Sequence, residues 1–389
     1  MASAQTPFSL YVHIPYCVSK CPYCDFNSHV VSKIPEQEYA EALLKELDFY
    51  ALAGDWRSRS LKSVFFGGGT PSTFRPLSIG KVLEKAASLF SFAQDIEITL
   101  EANPGTVDSG NFSGYRSCGV NRISIGAQSF QPQLLKFLGR THSADETREA
   151  LRIVQRAGFE NFNLDLIYAV SGQSLLDLKA DLGEAVSFHP PHLSAYNLTI
   201  EEGTPFHREY RLGKIQPLSE ETEISMAEMV EEILATEGLE HYEISNYAKP
   251  GSSSEHNLNY WQGGDYLGIG AGAHSYKRRH DGGIYGRRWH NEKSPNGYIE
   301  RVGASGQAVI GEEVADRTTA AGEFMFLGLR LRRGILVERF SELFGQGPAE
   351  FYPQIRLLQE EGFVEEGDGR LRLTRRGFTV ANAIFVNFV

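Results

Sequence analysis

The chain is poor in cysteine, in positive charge and in long apolar runs. Four cysteines in 389 residues are too few for a disulfide framework in a protein of this size. Lys plus Arg number 38 against 49 Asp plus Glu, a formal net charge of −11. Binding to nucleic acid by bulk attraction is thereby excluded, because that term needs cations clustered against phosphates. The short basic runs Lys277-Arg278-Arg279 and Arg287-Arg288 read as solvated loops. No stretch approaches the ~18–20 apolar residues of a membrane helix, which leaves only peripheral association with a membrane open. Met1 to Ser9 lacks the basic and apolar regions of a secretory signal. The expected location is the cytoplasm, or an organelle if a transit peptide has been removed.

What is present is ordinary for a globular protein: 41% hydrophobic and 22% charged residues. Strand-like and helix-like segments alternate. Leu10–Ile14, Ser63–Phe66, Ile96–Leu100, Arg122–Gly126, Asn161–Tyr168 and His192–Leu198 read as six strands. Helices are expected over Glu36–Ala53, where Tyr39, Leu43, Leu47 and Tyr50 recur at helical spacing, and over Ser78–Phe90. Six βα units without Rossmann glycine spacing predict an α/β fold, a partial (β/α)6 barrel over residues 1–215, with chemistry on the loops after the strands. Residues 216–310 form an expected extension with an acidic helix over Leu218–Thr236, a flexible loop at Gly251–Ser254 and a glycine-rich aromatic stretch over Tyr260–Trp289. Residues 311–389 read as helices over Ala320–Leu331, Leu336–Phe344 and Phe351–Glu361. A hairpin around Gly367-Asp368-Gly369 follows, giving a small winged-helix-like α+β domain.

Three of the four cysteines, Cys17, Cys21 and Cys24, fall within eight residues in a CxxxCxxC loop after the first strand. Four-cysteine ligation closes an iron–sulfur cluster. Three thiolates on a cuboidal cluster leave one iron with an open coordination position, the mark of a catalytic site. A zinc knuckle is the alternative, with His13 or His29 as fourth ligand. Cys118 stands alone and reads as a small buried hydrophobe.

Cys17 to Cys24, preceded by Tyr11-Val12-His13-Ile14-Pro15, resembles the signature loop of the radical S-adenosylmethionine (SAM) superfamily. Within it the chain is similar, from about Ser9 to Val380, to the family of oxygen-independent coproporphyrinogen III oxidase and its heme-chaperone relatives. The resemblance implies a [4Fe–4S] cluster on the three cysteines, SAM at the open iron and an electron donor for the cluster. It further implies SAM contacts from Tyr11, Tyr23, Gly68, Gly69, Thr70, Glu101, Gln128, Arg140 and Asp165. For Gly67-Gly68-Gly69 the expected reason is close backbone approach to the ligand, which leaves no room for a Cβ.

Two positions separate the subtypes. The oxidases carry a further cysteine two residues after the third; here that position is Phe26. His256-Asn257-Leu258-Asn259-Tyr260-Trp261 resembles the HNxxYW motif of the chaperones, which implies heme and acceptor hemoproteins as partners and His256 as the heme-proximal residue. His274, in Gly268–Ser275, is a second candidate. The alternative for the motif is a His-Asn pair capping a turn, with Tyr260 and Trp261 packed in the domain core. One segment departs from the family: Ala169-Val170-Ser171-Gly172-Gln173 stands where relatives read Gly-Leu-Pro-Gly-Gln, so a shifted loop is expected. The implied function is a heme chaperone, with no site residue assigned a catalytic role; the alternative is oxidative decarboxylation of coproporphyrinogen III.

Overall fold

The computed structural model describes residues 6–52, 54, 56, 57, 59–281 and 283–388. Residues 1–5 of the N-terminal segment and Ala53, the expected end of the first helix, lie outside the described residues.

The six expected strands all form: β1 (Phe8–Ile14), β2 (Ser60–Gly68), β3 (Ser91–Ala102), β4 (Arg122–Gln128), β5 (Asn161–Tyr168) and β6 (His192–Asn197). They pair in sequence order, each parallel to the next. Helices Glu36–Leu52, Pro76–Leu89, Ala144–Arg156 and Leu175–Ser187 are among those that cross between them. The strands are apolar because both faces are covered, as parallel sheets require. Val12, Phe66, Leu100, Ile123, Leu164 and Leu193 are all fully buried in one continuous core.

The extension enlarges the same sheet at both edges. At one edge β7 (Glu240–Glu243) and β8 (Asn246–Ala248) form a hairpin whose second strand runs antiparallel to β6. At the other, β9 (Tyr266–Ile269) pairs parallel with β1 as a seventh parallel strand. Then β10 (His274–Asp281), β11 (Ile284–Asn291) and β12 (Val309–Ala315) continue antiparallel. The result is a 12-stranded sheet, ordered β12-β11-β10-β9-β1-β2-β3-β4-β5-β6-β8-β7, with no pairing that closes it among the described residues. The large core runs from Phe8 to Ala308.

A second core, from Ala315 to Phe388, gathers Met325, Phe340, Ile355 and Leu371. Its helices Arg317–Gly328, Val337–Phe344 and Gln354–Glu360 pack with a three-stranded sheet of β13 (Ile335–Leu336), β14 (Val364–Gly367) and β15 (Arg370–Leu373), ordered β13-β15-β14. Asp368 turns the β14–β15 hairpin at φ 54, a conformation Asp tolerates.

Candidate cluster and cofactor site

The C-terminal ends of β1 to β5 and the loops after them converge on one cleft, where parallel α/β sheets put their chemistry. Cys17, Cys21 and Cys24 lie on the loop after β1 and are half-buried and free. Thr70 Oγ1 donates to Cys17 Sγ at 3.4 Å, and Arg140 Nη1 to Cys21 Sγ at 3.4 Å. Burial pushes the Cys17 and Cys24 thiols up, against hydrogen bonds to each that favour the thiolate. Val18, Cys21, Thr70, Asn103 and Arg140 line a small cleft between the loops after β1 to β4. No group of three or more His, Cys, Asp or Glu among the described residues gathers as ligands of one metal ion. A cuboidal cluster makes no such demand, since it spans several thiolates. Cys118 is half-buried against the main core, its thiol donating to the Tyr115 carbonyl.

Loop glycines hold this cleft in shape. Gly68 sits at φ 113, and a Cβ there would lie 2.4 Å from the His13 ring; at Gly69 it would lie 2.6 Å from the Tyr16 carbonyl oxygen. At those two positions the chain itself takes the room a Cβ would need, a reason different from ligand approach. Gly270 (φ 99) and Gly272 (φ 74) press in the same way on the His13 carbonyl and on Asn27. Asn27 Nδ2 donates to the carbonyls of Ala271 and Lys293, both at 2.9 Å. The loop after β9 therefore clamps the cysteine loop from behind.

Deeper in the sheet interior, the Gly68 N–H donates to Glu101 Oε2 at 3.2 Å. Burial, then the charge of Asp165, raises the Glu101 carboxyl to about 8. Asp165 accepts from Ser124 Oγ at 3.1 Å and Asn163 Nδ2 at 2.8 Å, yet burial still raises it. Two half-buried carboxyls with raised pKa values, and no cation among the described residues paired with either at contact distance, suit a cationic ligand. Tyr11 donates to His13 Nδ1 at 3.0 Å, and His13 Nε2 donates to the Asn27 carbonyl at 2.8 Å. Gln128 is held at φ 68, and its buried Oε1 lacks a protein partner, as does buried Arg140 Nε. Those orphaned atoms, the carboxyl pair and the three thiols fit a cluster with a polar, cationic cofactor beside it. Tyr23 packs on Phe206, ring centroids 6.2 Å apart.

His256 lies elsewhere. It is 1% exposed on the helix Glu255–Trp261, beneath the Tyr11 and Phe65 rings (centroids 6.3 and 5.0 Å). Ser63 Oγ donates to Ser9 and so accepts from His256 Nδ1–H at 2.9 Å, which leaves Nε2 to accept from Tyr260 OH at 2.8 Å. Both ring nitrogens are occupied, and burial lowers the imidazole to about 3, which keeps it neutral. His274 is exposed and stacks on His290 at 5.2 Å.

Sequence reasoning missed Glu97, Asn27 and Glu46. Glu97 accepts from the backbone N–H groups of Glu255 and His256 and from Ser254 Oγ, fixing the motif helix to β3. Its signal was the alternation Glu97, Thr99, Glu101, which puts acidic and polar residues on one face of a strand. Gly251–Ser254, expected as a flexible loop, ends in Ser254, buried and capping that helix.

The Radical SAM superfamily model matches residues 11–184, and the HemN C-terminal domain model matches 315–380. "Heme chaperone HemW" of Haemophilus influenzae is 38% identical over 386 residues, 98% of each chain. The protein of the same name from Escherichia coli is 37% identical over 389 residues, again 98% of each. That from Bacillus subtilis is 33% identical over 384 residues, 98% of this chain and 99% of its own. The chain belongs to the HemW family of radical SAM proteins. Among solved structures, coproporphyrinogen III oxidase (HemN) from Escherichia coli superposes with a TM-score of 0.82 at 22% identity, covering 99% of this chain and 90% of that one. That likeness shows the shared fold, including the partial barrel and the small C-terminal domain. The radical SAM fold implies a [4Fe–4S] cluster and SAM. No helix among the described residues is long and apolar enough to cross a membrane.

Proposed function

We propose that this HemW-family chain is a heme chaperone that holds a [4Fe–4S] cluster on Cys17, Cys21 and Cys24, binds SAM exchangeably beside it, and passes heme to acceptor hemoproteins. The observation that carries the reading is Phe26. It stands where the oxidases place a further cysteine, and it is a 64% exposed apolar side chain on the cysteine loop, unable to serve as thiolate or acid. Full-length similarity to proteins named heme chaperones supports the same choice.

When bound at a reduced cluster, SAM supplies a 5′-deoxyadenosyl radical. Thr70 and Arg140 would orient the thiolates, and Glu101 with Asp165 would hold the cationic part of SAM. Gln128 Oε1 and Arg140 Nε would find in it the partners they lack. An electron donor would reach the cluster from the exposed side of the cysteine loop.

The test is anaerobic. Reconstituted protein loaded with hemin is mixed with an apo-hemoprotein, and a parallel sample receives SAM, reductant and coproporphyrinogen III. Heme transfer without protoporphyrinogen is the expected result. Catalytic appearance of protoporphyrinogen would instead establish the decarboxylase.

A further inference from the structure

The HNxxYW helix lies between the sheet interior and a cavity. His256 points into the sheet interior, where Ser63 and Tyr260 occupy both of its nitrogens. Tyr260, one turn on, meets that ring through its OH and, with Trp261, lines a cavity of about 570 Å³ between β10, β11 and the helix Arg317–Gly328. That volume lies within the range of small-molecule sites. Tyr260 and Tyr266 meet edge to face at 4.7 Å on one side, and Phe324 and Phe344 close the other. Trp261 Nε1 is buried without a partner. Two guanidiniums, Arg278 and Arg288, line the cavity with the carboxylate of Glu323, and Arg288 pairs with Glu323 at 2.6 Å and with Glu313 at 3.6 Å. Arg278 spends one nitrogen on the Gln262 and Gly263 carbonyls.

The chemistry that fits is a flat, largely apolar ring system bearing carboxylates: the rings supply stacking faces, and the arginines supply guanidinium donors that match a carboxylate. From this arrangement we propose that the cavity between β10–β11 and the helix Arg317–Gly328 holds the porphyrin macrocycle. Tyr260 and Trp261 are the motif residues that touch it, and His256 positions Tyr260 from behind. The proposal rests on the heme-chaperone reading and deepens it, moving the ligand from the histidine to the Tyr260 and Trp261 rings of the same helix. It also gives the C-terminal domain a share in the site, since Ala320, Glu323 and Phe324 form one wall.

The experiment titrates hemin and, separately, metal-free protoporphyrin IX into the full-length protein, reading tryptophan quenching and porphyrin absorbance. Ala320→Phe fills the cavity from its wall, and Arg288→Met removes a cation. Thermal unfolding and iron content establish that each variant folds, and Arg288→Lys checks rescue. The expected result is that both porphyrins bind wild type within tenfold of each other and that Ala320→Phe and Arg288→Met each weaken both at least tenfold, with partial recovery in Arg288→Lys. Failure of wild type to bind hemin would overturn the chaperone reading itself. Hemin binding that both variants retain, or that metal-free protoporphyrin cannot reproduce, would overturn the cavity while leaving that reading in place.

Discussion

Glu46→Ala tests the clamp behind the cysteine loop. Glu46 is fully buried and accepts from Tyr298 OH at 2.7 Å, the Gly270 N–H at 2.9 Å and Asn291 Nδ2 at 2.7 Å. Truncation orphans Tyr298 OH and the Gly270 N–H outright, while Asn291 Nδ2 keeps the Gly270 carbonyl at 3.0 Å. At about 1–3 kcal/mol for each buried unpaired donor, the gross loss is about 2–6 kcal/mol. Against it stands the cost of the carboxyl, which burial raises to about 7. A carboxyl raised above its unfolded value stabilises the fold fully only below about 4.5 and loses that contribution as pH climbs through about 7. The wild-type advantage over Glu46→Ala should therefore shrink by about 1 kcal/mol between pH 6 and pH 8. Anaerobic urea unfolding at both values, followed by tryptophan fluorescence, measures it. A variant within about 0.5 kcal/mol of wild type at pH 6, a margin below one orphaned donor, would refute the reasoning. So would an advantage that grows with pH.

Gly272→Ala places a methyl 2.5 Å from Asn27 Nδ2 at φ 74. Displacing Asn27 from its two carbonyls should cost about 2 kcal/mol and speed iron loss to a chelator; an unchanged release rate would count against the clamp. Ala169 sits buried at φ 58, so Ala169→Val should lose at least about 2 kcal/mol because a β-branched residue resists that region. Ala169→Gly should stay within about 1 kcal/mol of wild type, and denaturant midpoints of the two variants decide the matter.

The six βα units were legible because each strand is a compact apolar run followed by a helix of regular period. The seventh parallel strand, Tyr266–Ile269, was not: it pairs with β1 across more than half the chain, and four residues with an internal glycine carry no local sign of that partner. Where the sequence departs from the family, Ala169 is held in a glycine-type conformation, with Gln173 Oε1 accepting from the Val170 N–H at 3.2 Å. In the site, the cysteines could be read from spacing, and the strand-end polar residues from the family resemblance. The orientation of His256 could not, since a sequence shows neither Ser63 nor Tyr260 at its two nitrogens. Glu46 left a trace, a charge inside the apolar stripe of Tyr39, Leu43, Leu47 and Tyr50, and helix periodicity alone could have flagged it.

The central claim is the three-cysteine cluster, and iron content with visible absorbance after anaerobic reconstitution tests it most directly. The account predicts about four irons per chain with the brown cluster absorbance in wild type and in Cys118→Ala, and loss of both in Cys17→Ala, Cys21→Ala and Cys24→Ala. Full iron retention in any of those last three would contradict it.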